Sequence, residues 1–285
     1  MRRTPHLNTL PLGNVDPFIP TPAQPVRCRA RPLQHDTHIE PHQHPWAQVA
    51  CCASGLIQVT VAPAAGAERS CTVPPSRALW IPPGALHAVT VLESAALHTL
   101  YIDPSAVPDG WHDCRMLVVS RLMAELMAQV DVGRSAEVPA RQSALTTLLL
   151  DELRHADTQP LGVPLPRAGG DRRLRALCDA VMRAPTQHPT LAGWAEDIGA
   201  SERTLARLFR TELGTSYQRW RQQVLLAHAL PMLARGQPVG QVAAACGYAS
   251  DSAFTAMFRT AMGQAPSQFA ARAKPVRGTD LLLNS

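Results

Sequence analysis

Long apolar runs are missing from this chain. Hydrophobic residues make up 46% of its 285 residues and charged residues 17%, yet no stretch approaches the roughly 20 consecutive apolar residues that a membrane span requires. No membrane partner is expected. The opening MRRTPHLNTLPLGNV has two arginines and no apolar core behind them, unlike a secretory signal, so the expected location is cytoplasmic. Cysteine pairs are lacking as well. Cys28, Cys51, Cys52, Cys71, Cys114, Cys178 and Cys246 are odd in number, scattered, and contain no CxxC, which argues against a disulfide framework and a zinc knuckle. They read as reduced core residues, with a redox sensor on Cys51 and Cys52 as the sharper alternative. No Ser-His-Asp, Cys-His or paired-carboxylate set stands out, and no catalytic residue is assigned.

The length exceeds what one compact domain usually needs, so two domains are expected. Charge divides the same way. Residues 1–166 carry 12 arginines against 14 acids, and residues 171–275 carry 13 basic residues against 7 acids. A basic unit joined to a slightly acidic one suggests a polyanion partner for the first.

Residues 1–26 read as an extended arm. From Arg27 to Asp103, short alternating runs such as GLIQVTVA and HAVTV between proline and glycine turns predict an antiparallel β domain. Met116, Val119, Leu122, Met123, Leu126, Met127 and Val130 then repeat at helical spacing, as do Leu145, Leu148, Leu149 and Leu153. These two amphipathic helices complete a domain over 27–156. Their apolar stripes could pack on the sheet or on another subunit. DTQPLGVPLPRAGG, within 157–170, has three prolines, three glycines and no periodicity, and predicts a linker. Helical patterning fills 171–275, and 276–285 is a tail.

The last hundred residues repeat. LARLFRTELG (205–214) aligns with FTAMFRTAMG (254–263), and Ser201 falls on Ser250. Upstream, Leu191 falls on Val239, Ala195 on Ala243, and Gly199 on Gly247. Each unit predicts a short helix, a glycine at a sharp turn, a capping serine and a second helix ending near another glycine. A paired helix unit can also be a packing module, so exposed residues decide. Leu205, Leu208 and Phe209 would be buried in the first unit, leaving Arg203, Arg207 and Arg210, which can fork onto guanine or grip phosphate. In the second, Phe254, Met257 and Phe258 would be buried, leaving Asp251, Ser252, Thr255 and Arg259. Ser216 to Ala234 predicts one long helix that fixes the spacing of the units. Pro231 inside it is expected to kink or end it, at a cost of about 3 kcal/mol if nothing compensates.

The pattern V-x-x-V-A-x-x-x-G-Y-x-S-x-S-x-F-x-x-x-F-R-x-x-x-G-x-x-P-x-x-F, from Val239 to Phe269, resembles the signature of the AraC/XylS family of transcription regulators. The resemblance covers Asp171 to Phe269. It implies that the second helix of each unit enters the major groove of double-stranded promoter DNA. It puts Arg203, Ala206 and Arg207 at base-facing places of the first unit, and Asp251, Ser252, Thr255 and Ala256 at those of the second. Arg210 and Arg259 lie beyond them, where phosphate is the expected contact. The alanines can offer only apolar contact, such as to a thymine methyl.

In the front domain, His42, His44 and Gln48 are separated by even numbers, which on a strand would point them to one face. His42-x-His44-x3-Gln48-x6-Gly55 and Pro82-x-Gly84-x2-His87 resemble the two motifs of the cupin β-barrel, as found in AraC-type sensor domains. The likeness covers Thr37 to Asp103. It implies a small-molecule effector site at His42, His44, Gln48 and His87, with Trp46 and Trp80 as its wall. His42, His44 and His87 could also hold a divalent metal. Gln48 stands where metallocupins have a carboxylate, and Val91 where asparagine is usual, so a metal would be held more weakly. His35, His38 and His98 carry no motif.

The expected fold is α+β with two domains: an antiparallel, cupin-like β-barrel with two amphipathic helices, then an all-α domain of two helix-turn-helix units joined by a long helix. The expected function is a non-enzymatic, effector-controlled transcription regulator, activator or repressor. It would act as a homodimer, with RNA polymerase as a partner if it activates. The rival reading is a cupin oxygenase with a DNA-binding appendage, which needs a well-held metal with an open position. Gln48 weighs against it. A purely structural helical protein would have no need of the DNA-binding signature.

Overall fold

The computed structural model describes residues 8–62, 68–130, 139–159, 162–167 and 169–273. The tail over 276–285 and the first seven residues of the arm lie outside the described residues. The chain folds as an N-terminal sheet domain followed by a helical domain, a mixed α+β architecture.

Two long strands organise the sheet, β4 (Ala47–Ala62) and β7 (Leu86–Ile102). They pair antiparallel from Ala47 opposite Ile102 to Ala62 opposite Leu86, with register shifts between Cys52 and Ile57. The shifts divide the sheet into two halves. In one, β3 (Thr37–His42) flanks the start of β7, β1 (Asn8–Leu10) adds in parallel to β3, and β5 (Glu68–Val73) flanks the end of β4. In the other, β2 (Val26–Leu33) flanks the end of β7, while β6 (Arg77–Ile81) and β8 (Arg115–Val118) follow the start of β4. The bend needs Gly55. Its φ is +81°, and a Cβ there would lie 2.2 Å from the Ser94 carbonyl oxygen, closer than any side chain could approach.

Both halves contribute to one buried cluster, with Ile39, Val59 and Val89 from the first and Leu33, Leu79 and Leu97 from the second. The strands do not close into the expected barrel. The hydrogen-bonded path runs from β1 to an open end at β9 (Thr158–Gln159), because the halves meet through side-chain packing and the two shared bent strands.

The proline-rich stretch expected as a linker carries two short strands. β9 pairs with β8, and β10 (Val163–Leu165) pairs with β5. Its prolines did not prevent edge pairing, since an edge strand uses only one side of its backbone.

Helices α1 (Arg121–Gln129) and α2 (Pro139–His155) cover the outer face of the second half-sheet. Met123, Leu126, Met127, Leu149 and Leu153 pack there on Val49, Trp80 and Leu117. Met116, placed by periodicity on the first helix, sits instead on β8. The helix begins only after Ser120, whose hydroxyl accepts from the Met123 N–H. Leu122 and Leu148 remain half exposed.

The helical domain comprises α3 (Arg172–Arg183), α4 (Leu191–Ile198), α5 (Glu202–Glu212), α6 (Tyr217–Ala234), α7 (Val239–Ala245), α8 (Asp251–Met262) and α9 (Pro266–Ala273). The repeat in sequence is a repeat in backbone. Gly199 and Gly247 hold positive φ in the turns, and Ser201 and Ser250 accept from the N–H three residues on. Gly214 and Gly263 hold positive φ beyond α5 and α8. Met257 is only half buried, unlike Phe254 and Phe258. Pro231 does not end α6, which continues to Ala234. Burial of Leu226, Leu230 and Leu233 around the proline, about 1.5–3 kcal/mol for each leucine, outweighs the lost backbone bond.

The two domains share a core. The buried cluster inside the sheet continues through Leu225, Leu226, Leu230, Phe254, Phe258 and Phe269. Polar contacts join them as well. The Trp220 indole donates to the Pro164 carbonyl at 2.8 Å, Gln264 donates to the Ser76 hydroxyl, and Arg235 pairs with Glu93.

Candidate functional site

On α5, Arg203, Arg207 and Arg210 are exposed at i, i+4 and i+7, which places them on one face. Among the described residues none of the three is in an ion pair. Leu205, Leu208 and Phe209 on the opposite side are buried against α3 and α6 residues, so packing aims the arginines outward. Ala206 is half buried beside this stripe.

The equivalent face of α8 is less charged. Ser252, Ala256 and Arg259 are exposed there, and Thr255 is half buried. Asp251 is exposed at the start of α8 and also faces α7. A Cβ at Gly240 would lie 3.0 Å from its carboxylate, so the carboxylate sits at the start of α7. That helix has Pro238 at its N-cap and no side-chain cap, and its positive end favours an anion.

One interdomain group escaped the sequence reading. Arg77 on β6 is 3% exposed. Its Nη2 donates to the Met262 carbonyl in the last turn of α8 at 2.5 Å and to Gln159 Oε1 at 2.7 Å. Its Nε donates to the same Gln159 oxygen at 3.0 Å, and its Nη1 to the Ser76 carbonyl at 2.8 Å. Burial pushes the guanidinium down to about 10. A cation at the carbonyl end of α8 complements the helix dipole. No local pattern signals a contact across 185 residues.

The histidines converge, though not along one strand. His42 ends β3 and pairs across to His87 on β7, His44 lies in the connection before β4, and Gln48 is on β4. Ring centroids are 4.2 Å apart for His42 and His87, and 5.2 Å for His44 and His87. Each Nδ1 faces a backbone carbonyl: Glu40 at 2.8 Å for His42, Trp46 at 2.7 Å for His44, and Ala85 at 2.9 Å for His87. A carbonyl only accepts, so each Nδ1 carries the proton and each Nε2 keeps a lone pair.

Burial, with His42 and His44 nearby, pushes His87 down to about 3, and burial lowers His42 as well. One ligand nitrogen from each ring can be chosen so that all three lie within 4.8 Å of one another. The buried Nε2 of His42 has no hydrogen-bond partner. The Gln48 side-chain amide lies 2.9 Å from His44 Nε2 and 3.3 Å from His87 Nε2. The amide atom placed there is Oε1, which cannot bond to two lone pairs, so exchanging the amide's oxygen and NH2 satisfies both rings in the absence of a cation. Three preoriented Nε2 lone pairs, one of them unsatisfied, fit a divalent metal.

Trp46 stacks on the His44 ring at 5.0 Å and meets Tyr101 edge-on, so it walls this cluster. Trp80 does not. It pairs with Val49, one residue beyond the Gln48–Ile81 pair, and therefore faces the other side of the sheet, where its ring meets Trp111 at 4.9 Å.

Residues 24–204 match the family described as an AraC-like ligand binding domain, and residues 194–272 match a helix-turn-helix domain. The HTH-type transcriptional regulator NimR of Escherichia coli is 36% identical over 234 residues, 81% of this chain and 82% of NimR. The HTH-type transcriptional activator RhaR of Klebsiella pneumoniae is 28% identical over 159 residues, 55% of this chain and 54% of RhaR. Among solved structures, ToxT of Vibrio cholerae aligns over 87% of this chain and 98% of its own at 13% identity, with a TM-score of 0.36. The chain belongs to the AraC family of transcriptional regulators, with a DNA-binding helix-turn-helix domain and a ligand-binding domain. Among the described residues no helix is long and apolar enough to cross a membrane.

Proposed function

We propose that the chain reads promoter DNA through α5 and α8 placed in successive major grooves, under control of a small molecule held in the sheet domain. The observation that carries this reading is the row of exposed arginines on α5, Arg203, Arg207 and Arg210, none of them ion-paired among the described residues. Arg203 and Arg207 fall early on the helix, where a recognition helix meets base edges, and Arg210 falls where phosphate lies. On α8, Ser252, Thr255 and Ala256 take the base-facing places and Arg259 the phosphate. α5 therefore supplies most of the base discrimination, and Asp251, the remaining base-facing place of α8, lies beside the start of α7.

The effector site is the cluster of His42, His44, Gln48 and His87 beside Trp46. These three histidines would hold a divalent metal through Nε2, where it would act as a Lewis acid toward an oxygen donor of the effector. The Gln48 amide turns its oxygen to the cation or its NH2 to the imidazoles. Half-exposed Leu122 and Leu148 support homodimer formation through α1 and α2. Promoter DNA places the protein in the cytoplasm, and RNA polymerase is a further partner if it activates.

Selection of bound sequences from random duplex DNA at fixed salt tests the reading. Two recognised elements about one helical turn apart, roughly 34 Å, support paired recognition helices. No enrichment above random DNA counts against it.

A further inference from the structure

Between the domains lies a cleft of about 500 Å³, within the range of small-molecule sites. Its walls come from both domains, and it is separate from the histidine cluster. Leu79 and Met116 of the sheet, with Leu213 and Trp220 of the helical domain, give it apolar surface. Arg69 on β5, Arg115 on β8 and Arg219 on α6 also line it, and among the described residues no aspartate or glutamate does. Among the described residues none of these arginines is ion-paired. Arg115 is fixed over the Trp111 ring at 4.9 Å and donates to the Gly110 carbonyl. Arg69 stands near enough to Cys71 and Cys114 to oppose the upward push of burial on both thiols. Three cations around an apolar floor, against one nearby carboxylate, Asp113 beside Cys114, leave positive charge that a ligand can balance.

The cleft also touches what holds the recognition helices. Leu213 and Gly214 close the end of α5, and Gln159 lines the cleft while accepting both bonds from Arg77, which donates to the last turn of α8. We propose that the cleft is a second ligand site, for an organic anion on an apolar body, whose occupancy is transmitted to the ends of α5 and α8. The transmission rests on the reading of those helices as recognition helices; the binding does not.

The probe is 4-phenylbutyrate, with 4-phenylbutan-1-ol as its uncharged counterpart, titrated calorimetrically into the full chain without DNA. Hydrogen exchange is followed at the ends of α5 and α8. The expected result is saturable binding of the acid, at least tenfold weaker for the alcohol and for Arg69→Gln/Arg219→Gln, both exposed positions. Slower exchange of the last-turn amides of α8 accompanies it. Equal binding of acid and alcohol overturns the proposal, as does binding indifferent to the arginine changes. Loss of binding in His87→Asn alone would assign the anion to the histidine cluster and overturn it too. Unchanged exchange at saturation overturns the transmission. Failure of the protein to select DNA leaves all these readouts intact.

Discussion

Arg77→Ala removes the buried cation that ties the sheet to α8. Three acceptors lose their donor: the Met262 carbonyl, Gln159 Oε1 and the Ser76 carbonyl. A hydrogen bond to a charged group contributes about 1.5–3 kcal/mol, so counting one bond for each of the acceptors Met262 and Gln159, the loss costs about 3–6 kcal/mol. Against this stands relief from burying a guanidinium that has no carboxylate partner, worth several kcal/mol. The net expectation is a loss of about 2–3 kcal/mol of interdomain stability, less for Arg77→Lys, which keeps the charge and can reach one acceptor. Urea unfolding followed by tryptophan fluorescence reads the stability, and hydrogen exchange over 259–263 reads the helix end. A change below about 0.5 kcal/mol with unaltered exchange there would refute the claim that Arg77 secures α8.

Arg207→Ala should lose about 1–3 kcal/mol on the selected DNA site and relax base choice under α5; equal losses on random DNA would contradict base reading. Arg259→Ala should weaken binding to all sequences and lower the salt slope by about one phosphate contact, measured by titration at several salt concentrations. Gly55→Ala forces a Cβ to within 2.2 Å of the Ser94 oxygen at a φ of +81°. It should destabilise the sheet domain by more than about 3 kcal/mol in thermal unfolding; a variant with unchanged Tm would show that the bend does not depend on glycine. Purified protein should carry close to one equivalent of a divalent metal that His87→Asn removes; less than a tenth of an equivalent after mild handling leaves the histidines as an effector pocket without metal.

The helical domain was largely legible because its determinants are local. Ser201, Ser250, Gly199 and Gly247 each act within a few residues, and the structure uses all four as caps or turns. The histidine cluster was legible as a motif but not as geometry. Its members meet by the pairing of His42 with His87 across β3 and β7, while even spacing along one strand had suggested a shared face. Trp80 was misplaced for a related reason. Proximity to a motif in sequence does not say which face of β6 a side chain takes, and here it takes the one toward Trp111. Periodicity carried Met116 into a helix because apolar spacing cannot locate the strand end that precedes Ser120. Arg77 and Gln159 left no trace in the sequence, since their roles exist only once the domains meet.

The pairing of Thr158–Gln159 with β8 and of Val163–Leu165 with β5 bears on how this protein can be recombined with its relatives. A chimera that exchanges sensor halves at residue 157 would give the new sensor foreign edge strands and remove Gln159's native setting beside Arg77. A junction after Leu165, ahead of the Asp171 cap of α3, keeps both strands with the sheet they complete. The boundary suited to domain exchange therefore falls late in the proline-rich stretch, and the residues before it travel with the sensor.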